Sequence, residues 1–247
     1  LERHLIPAEA FDAAFARLPI LRGLEAQERM RLREAASLFI HGKAFSAAGG
    51  AEVDDAMQLA IALQASLLTL NLDEVSYRGW SEIILYPDEF LRPREEMDEA
   101  GVVHHSRDLL AGESWHGGPL VLSIADVAAS GQADGFNVEL HEFAHKLDML
   151  NGDANGFPPL HRGMDAGAWA RDFSAAYEDL CARFDAGEDT AIDPSATTDP
   201  AEFFAVLTEV FFVTPHLLAT EYPAIYRQLQ QFYRQHPLAR LEAPEHD

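Results

Sequence analysis

The spacing of apolar residues predicts a chain that is helical at both ends. Before residue 71 and after residue 136, apolar side chains recur at helical spacing or lie in long stretches rich in Ala, Leu and Ile. Such patterns are typical of helices that bury one face. The predicted helices span residues 8–18, 25–39, 53–70, 137–150, 166–184, 199–213 and 223–235.

The middle of the chain has a different pattern and predicts a small sheet. Residues 81–86 form an apolar segment that ends at Pro87, which is typical of a strand. Residues 107–111 and 120–124 predict two further strands, and the Gly-rich residues 112–119 predict a hairpin-like connection between them.

The order of these elements, helices followed by a small sheet and then helices again, indicates an α+β fold. The chain has no internal repeat and no low-complexity tract, and the loops at residues 151–164 and 185–198, rich in Gly, Pro and Asp, do not mark domain boundaries. We therefore expect one domain over residues 1–247, with a helical N-terminal part at residues 1–72 and a core at residues 73–247.

Charge and composition exclude several classes of protein. Acidic residues number 41 and basic residues 18, and the resulting formal charge of -23 would repel a phosphate backbone, so direct nucleic-acid binding is excluded. No run of eighteen apolar residues is present, so we expect no membrane span. The single cysteine, Cys181, cannot form an intramolecular disulfide, and the first residues lack the features of a signal peptide. We expect a cytoplasmic protein.

The segment that carries chemistry is His141-Glu142-Phe143-Ala144-His145, which matches the pattern H-E-x-x-H. Residues four apart in a helix lie about 40° from each other, so both imidazoles project from one face and can bind one ion. A catalytic zinc site has three protein ligands and leaves the fourth position to water. Glu142 follows the first ligand directly and can reach that water as a general base.

The third ligand is open at this level. The metzincin pattern is excluded because the glycine and the third histidine that it needs are absent after His145. The helix at residues 199–213 offers Glu202 and Glu209, which are seven residues apart and share a face. Glu202 could instead belong to a capping box with Asp199. Glu209 could be a ligand, a group that supports a ligand, or an exposed residue.

Asp148 lies on the same helix face as the two histidines, seven residues after His141 and three after His145. It could be a solvated or capping residue near the helix end. It could also accept a hydrogen bond from an imidazole N–H and thereby fix the tautomer of a ligand. The residues alone leave both interpretations open.

Several segments resemble the Mlc titration factor A (MtfA) family, which consists of bacterial zinc-dependent peptidases. The resemblance covers most of the chain, and its two central motifs are the specific ones. The catalytic region of anthrax lethal factor is similar more distantly. The matching segments are His141-Glu142-Phe143-Ala144-His145-Lys146-Leu147-Asp148, Asp199-Pro200-Ala201-Glu202-Phe203-Phe204-Ala205, Lys43-Ala44-Phe45, Ile61-Ala62-Leu63-Gln64-Ala65 and Leu85-Tyr86-Pro87.

The resemblance implies a zincin-like metallopeptidase with a small mixed sheet, an active-site helix and C-terminal helices. It implies that Glu202 is the third ligand, beside His141 and His145, of one Zn²⁺ per chain. It also implies a gluzincin-type peptidase that acts mainly as an aminopeptidase on small peptides. A further implication is association with Mlc, a sugar-responsive transcriptional repressor, and thus a regulatory role in sugar uptake.

The chain departs from the family at one position. The family usually has a tyrosine seven residues before the glutamate ligand, suited to bind the oxyanion, and this chain has Ser195 there. Serine is too short for the same reach, and the loss of one oxyanion donor can cost about 10²–10³ in rate. The candidate replacement donors are Tyr77, His104, His105 and His161.

Three functions follow as hypotheses. In the first, zinc lowers the pKa of a bound water and polarises the scissile carbonyl, and Glu142 transfers the proton of that water to the leaving amine. The peptide lies along the strand at residues 120–124 by strand addition. In the second, the chain is a regulatory module that sequesters a repressor and has weak or no peptidase activity. In the third, the zinc is structural, but this needs a fourth protein ligand and none is evident near the motif.

Overall fold

The computed structural model describes residues 5–50, 52–72, 77, 79–87, 95–97, 103–105, 118–130 and 136–242. The predicted strand at residues 107–111 lies outside these residues. No helix in the described part of the chain is both long and apolar enough to cross a membrane.

Three helices form the N-terminal region, as the sequence predicts. They are α1 (Ala8–Arg17), α2 (Ala26–Gly42) and α3 (Asp55–Thr69). Helix α3 is the most apolar of the three and is almost entirely buried, which explains why its sequence lacks a polar face. Its N-terminus is capped by the side chain of Asp54, which accepts a hydrogen bond from the backbone N–H of Met57 at 2.7 Å.

The central sheet contains β1 (Ala44–Ala47), β2 (Glu82–Tyr86) and β5 (Leu120–Ser123) in the order β1-β2-β5, and all its strand pairs are parallel. Phe45 pairs with Ile83, and Ile84 pairs with Val121. Strands β3 (Glu95–Met97) and β4 (Val103–His105) form a separate antiparallel pair.

Two expectations about the strands are corrected by this arrangement. The described three-stranded sheet is parallel and not mixed, because helix α3 carries the chain back between β1 and β2. The N-terminal part is also not purely helical, since β1 lies within it. Strand β1 is only four residues long and partly exposed, so its sequence has too little alternation to predict a strand.

The second half of the chain is helical. It contains α4 (Ile124–Ala129), α5 (Val138–Asp148), α6 (Ala166–Asp185), α7 (Pro200–Val213), α8 (Pro215–Glu221), α9 (Pro223–Tyr233) and α10 (Pro237–Glu242). The four longer helices are confirmed predictions. The three short ones, α4, α8 and α10, have six or seven residues each, which is too short for a clear helical period.

The core positions the functional segment. Helix α5 packs on one side against α7 and on another against α3, and one continuous apolar cluster joins the N-terminal helices, the sheet and the C-terminal helices. Phe143, in the middle of α5, is fully buried against the rings of Phe39 and Tyr77, at centroid distances of 5.6 and 5.3 Å. This packing fixes the rotation of α5 about its axis and therefore the direction of its polar face.

Candidate metal centre

Helix α5 brings the two histidines of the motif together. Its N-terminus is capped by Asn137, whose side chain accepts a hydrogen bond from the N–H of Leu140 at 2.9 Å. One turn later, the ring centroids of His141 and His145 are 4.8 Å apart, and their Nε2 atoms are 3.1 Å apart. The helical spacing thus produces the convergence of imidazoles that the motif predicts.

Helix α7 delivers Glu202 to the same point. Asp199 caps this helix by accepting from the N–H groups of Ala201 and Glu202, both at 2.9 Å, and Pro200 occupies the first helical position. The cap is therefore provided by Asp199. The carboxylate of Glu202 faces the imidazoles, with Oε2 3.3 Å from Nε2 of His141 and Oε1 3.4 Å from Nε2 of His145.

The three side chains fit a divalent metal ion. Ligands at the bond lengths of zinc, in a tetrahedron, lie about 3.3–3.6 Å from one another. The observed separations of 3.1, 3.3 and 3.4 Å between the facing atoms of His141, His145 and Glu202 are close to this value. Each of the three side chains is partly buried and offers one ligand atom. Two imidazoles and one carboxylate also form a donor set that zinc accepts.

Glu209 supports the first histidine from behind. Its Oε1 accepts a hydrogen bond from Nδ1 of His141 at 2.7 Å, and its Oε2 accepts from the backbone N–H of Asn137 at 2.8 Å. A proton on Nδ1 leaves Nε2 free to bind an ion, which is the usual arrangement of a metal-binding histidine. Of the alternatives for Glu209, the structure thus selects the group that supports a ligand.

The carboxylates also set the protonation of the centre. Burial acts to lower the pKa of His141, but its hydrogen bonds with Glu202 and Glu209 outweigh this effect and raise that pKa well above its usual value. Burial acts to raise the pKa of Glu202, yet the hydrogen bonds and charges of His141 and His145 reverse it, so the pKa is strongly lowered. In the absence of metal these shifts favour a His141 imidazolium, with a second proton on Nε2, beside an ionised Glu202.

Glu142 lies between the two histidines in the sequence and is partly exposed. Burial lowers the pKa of Lys146, and the nearby charge of Glu142 acts in the opposite direction. Glu142 also acts to raise the pKa of His141, less strongly than Glu202 and Glu209 do. Nζ of Lys146 donates to the carbonyl of Gly118 at 3.0 Å. This bond ties the helix that carries Glu142 to the residues that lead into strand β5.

Asp148 is fully buried, so it is not a solvated residue. Its Oδ2 accepts hydrogen bonds from the N–H groups of Asn155 and Gly156, at 2.8 and 2.7 Å. Its Oδ1 has no hydrogen-bonding partner in the part of the chain that the structure describes. The described hydrogen bonds of Asp148 hold the loop that follows α5, and its role as an acceptor for an imidazole stays a prediction.

That loop also contacts helix α7. Gly156 has a φ of +75°, and a Cβ at this position would collide with the carbonyl oxygen of Pro200. The loop therefore packs against the first turn of α7, two residues before Glu202. Asp148 thereby connects the end of the histidine helix to the start of the glutamate helix.

Two of the candidate oxyanion donors are engaged elsewhere. The hydroxyl of Tyr77 donates to the carbonyl of Ala65 at 3.0 Å, and Nε2 of His161 donates to the carbonyl of Phe232 at 2.6 Å. The side chains of His104 and His105 lie outside the described part of the structure. Ser195 is exposed in the short 3-10 helix Pro194–Thr197, which packs on α7.

Sequence reasoning did not find the polar residues behind the centre. Asn137 and Gln64 are fully buried, and they join Glu209 in one hydrogen-bonded group. The available signal was Gln64 itself, a polar residue within the apolar helix α3. A buried amide in such a helix needs partners, but the sequence does not identify them.

Comparison with known proteins agrees with this geometry. The model of the glucose-regulated metallo-peptidase M90 family matches residues 1–234. A protein of Serratia proteamaculans named Mlc titration factor A is 42% identical over 228 residues, which cover 91% of this chain and 87% of that protein. A protein of the same name from Salmonella arizonae is 42% identical, and the match covers 94% of this chain and 92% of that protein. Another from Escherichia fergusonii is 40% identical, and the match covers 93% of this chain and 88% of that protein.

Together with the family match, the α+β fold and the cluster of two histidines and a glutamate are those of a zincin-like metallopeptidase. The chain belongs to the glucose-regulated metallo-peptidase M90 family.

Proposed function

We propose that the chain is a zinc-dependent peptidase of the gluzincin type, with His141, His145 and Glu202 as ligands of one Zn²⁺ and Glu142 as the general base. The observation that carries this proposal is the close spacing of the facing groups: the two imidazole Nε2 atoms are 3.1 Å apart, and each lies 3.3–3.4 Å from one carboxylate oxygen of Glu202. When bound, the ion would polarise a substrate carbonyl and lower the pKa of water.

Glu142 would move the proton. As water attacks the carbonyl carbon, a C–O bond forms and the water proton passes to the carboxylate of Glu142. Glu142 then delivers this proton to the leaving nitrogen as the C–N bond breaks, which restores its ionised form. Glu209 would keep Nδ1 of His141 protonated throughout, so that Nε2 remains a ligand.

The peptide would lie extended beside strand β5. Among the described strands, β5 pairs with β2 on one side only, and Lys146 links its leading residues to helix α5. An unpaired strand edge offers backbone N–H and C=O groups to an extended chain. We infer small peptides as substrates and mainly aminopeptidase action, in line with the family resemblance.

The test compares the unmodified chain with Glu142→Gln in two assays. The first measures zinc per chain after dialysis, and the second measures hydrolysis of aminoacyl p-nitroanilides and of blocked peptides. We expect both proteins to hold one zinc and only the unmodified chain to hydrolyse the substrates. Normal hydrolysis by Glu142→Gln would refute the role of Glu142. Cleavage of only blocked peptides would refute the aminopeptidase assignment.

A second candidate function is regulation of a transcriptional repressor. Relatives at 40–42% identity carry the name Mlc titration factor A, and this name supports the candidate. We propose that this chain binds a repressor of the Mlc type in the cytoplasm. Titration with a purified Mlc-type repressor tests this, and Glu142→Gln should bind it as well as the unmodified chain does. Loss of binding in that variant would tie the association to catalysis.

A further inference from the structure

A chain of buried polar side chains runs from the N-terminal helices to the proposed metal centre. Nε2 of Gln64, on α3, donates to Oε1 of Glu139 at 2.7 Å, and Oε1 of Gln64 accepts from Nδ2 of Asn137 at 2.6 Å. The backbone N–H of Asn137 then donates to Glu209, which holds His141. Gln64, Asn137 and Glu139 are at most 1% exposed.

The order of donors and acceptors in this series of hydrogen bonds is fixed from both ends. Oδ1 of Asn137 is used as the cap of α5, so its amide nitrogen must face Gln64. Gln64 must therefore present its oxygen to Asn137 and its nitrogen to Glu139, where a carboxylate oxygen accepts it. No other residue type offers one donor and one acceptor at the same reach and in the same shape.

We propose that Gln64 is a positioning residue of the metal centre. It fixes Asn137, so that the backbone N–H of Asn137 keeps Glu209 oriented on Nδ1 of His141. The proposal rests on the zinc function above and adds a role for the N-terminal helices, which supply no ligand in the proposed site. Without Gln64, the Asn137 amide would lose its buried partner and turn, which would shift the backbone N–H that anchors one oxygen of Glu209.

A purely structural role makes a different prediction. Gln64 would then contribute only to folding, and its replacement would lower the melting temperature without changing the affinity for zinc. Gln235 provides the matched control, because it is also a buried glutamine bound to α3. Its Nε2 donates to the carbonyl of Leu67 at 2.7 Å. None of its described hydrogen bonds leads to His141.

The experiment measures the zinc dissociation constant by competition with a chromogenic chelator, using the full chain and the variants Gln64→Met and Gln235→Met. We expect Gln64→Met to bind zinc about tenfold more weakly, at the low end of the effect of groups that support metal ligands. We expect Gln235→Met to stay within about twofold of the unmodified chain. Equal zinc affinity in all three proteins would overturn the proposal, as would equal weakening in both variants.

A rescue variant separates positioning from packing. In Gln64→Glu combined with Glu139→Gln, the introduced carboxylate can accept from both Asn137 and the introduced amide. Zinc affinity should therefore return to within about threefold of the unmodified chain, whereas Gln64→Met should remain weak. No gain in the double variant over Gln64→Met would contradict the proposal.

A readout without metal keeps the proposal independent of the peptidase assignment. In ¹⁵N-resolved NMR spectra of the metal-free chain, the Nδ1 proton of His141 should appear far downfield because Glu209 binds it. We expect this signal to be lost in Gln64→Met and kept in Gln235→Met. A retained signal in Gln64→Met would overturn the positioning role. If the unmodified chain showed the signal but bound no zinc, the proposed zinc function would be refuted, and the role of Gln64 in orienting Glu209 and His141 would stand.

Discussion

Replacement of Glu209 by glutamine removes one hydrogen-bond acceptor behind the metal centre. Both carboxylate oxygens are acceptors in the structure, one from Nδ1 of His141 and the other from the N–H of Asn137, at 2.7 and 2.8 Å. A glutamine has one acceptor oxygen and one donor nitrogen, so either the contact with the N–H of Asn137 becomes donor against donor or His141 must give up its proton on Nδ1, and the second change moves the proton to the nitrogen that faces the metal. The side chain is 8% exposed, and water can relieve this conflict only in part.

The expected size follows from the geometry. Disrupting a group that orients a metal ligand costs roughly 10–100-fold in metal affinity. This corresponds to about 1.4–2.7 kcal/mol, at 1.4 kcal/mol for each factor of ten. The loss of the charged acceptor should also lower the free energy of unfolding of the metal-free chain by about 1–3 kcal/mol.

The assay is chelator competition for zinc, together with urea unfolding of the metal-free protein. Thr208→Val is the matched control, because Thr208 is buried next to Glu209 on α7 and hydrogen-bonds the hydroxyl of Tyr233 at 3.0 Å. We expect Thr208→Val to lose stability without losing zinc affinity. If Glu209→Gln bound zinc within about twofold of the unmodified chain, the inference that Glu209 orients His141 would be wrong.

Three further predictions concern protons, a glycine and a lysine. Zinc must displace the proton on Nε2 of His141, whose pKa is raised, while Nδ1 keeps its own proton. The apparent zinc affinity should therefore fall by up to about tenfold per pH unit as the pH drops below that pKa, and a pH-independent constant between pH 6 and 8 would contradict this. Gly156→Ala should lower the free energy of unfolding by about 1–3 kcal/mol more than the control Gly187→Ala, because Gly187 has a similar φ of +73° but no atom within 4 Å of the added Cβ. Equal losses of stability in urea unfolding would refute the contact of Gly156 with Pro200. Lys146→Met should keep zinc and raise KM more than it lowers kcat, because the variant loses the hydrogen bond that holds the residues leading into β5. An unchanged KM would exclude a role of Lys146 in positioning β5 for the substrate.

The long elements and the motif were predictable from the sequence. Helix α5 has a strong cap at Asn137, an apolar face around Phe143 and the spacing of His141 and His145, so local rules and packing agree there. Helix α7 was predictable for the same reason, because Asp199 and Pro200 mark its start and an apolar run follows.

The roles of the two glutamates on α7 were not predictable from spacing. Glu202 and Glu209 are two turns apart on one face of the helix, and each meets a different nitrogen of His141. Which glutamate meets which nitrogen depends on how α7 is placed along α5. That placement is set by packing between segments about sixty residues apart, so only the family resemblance could favour Glu202.

Long-range polar pairing also escaped prediction. Gln64 and Asn137 are 73 residues apart, and Asp148 binds a loop that begins seven residues later. A polar residue reveals that it needs a partner, but hydrogen bonds between distant segments leave no periodic trace. Strand β1 was missed for a related reason, because its pairing with β2 and not its own four residues makes it a strand.

The most direct test of the central claim is an anomalous difference map at the zinc edge from crystals of the zinc-loaded chain. We expect one peak per chain, about 2.0–2.1 Å from Nε2 of His141 and of His145, and about 2.0–2.2 Å from an oxygen of Glu202. A peak bound by other side chains, or one with the carboxylate of Glu202 outside coordinating distance, would contradict the account.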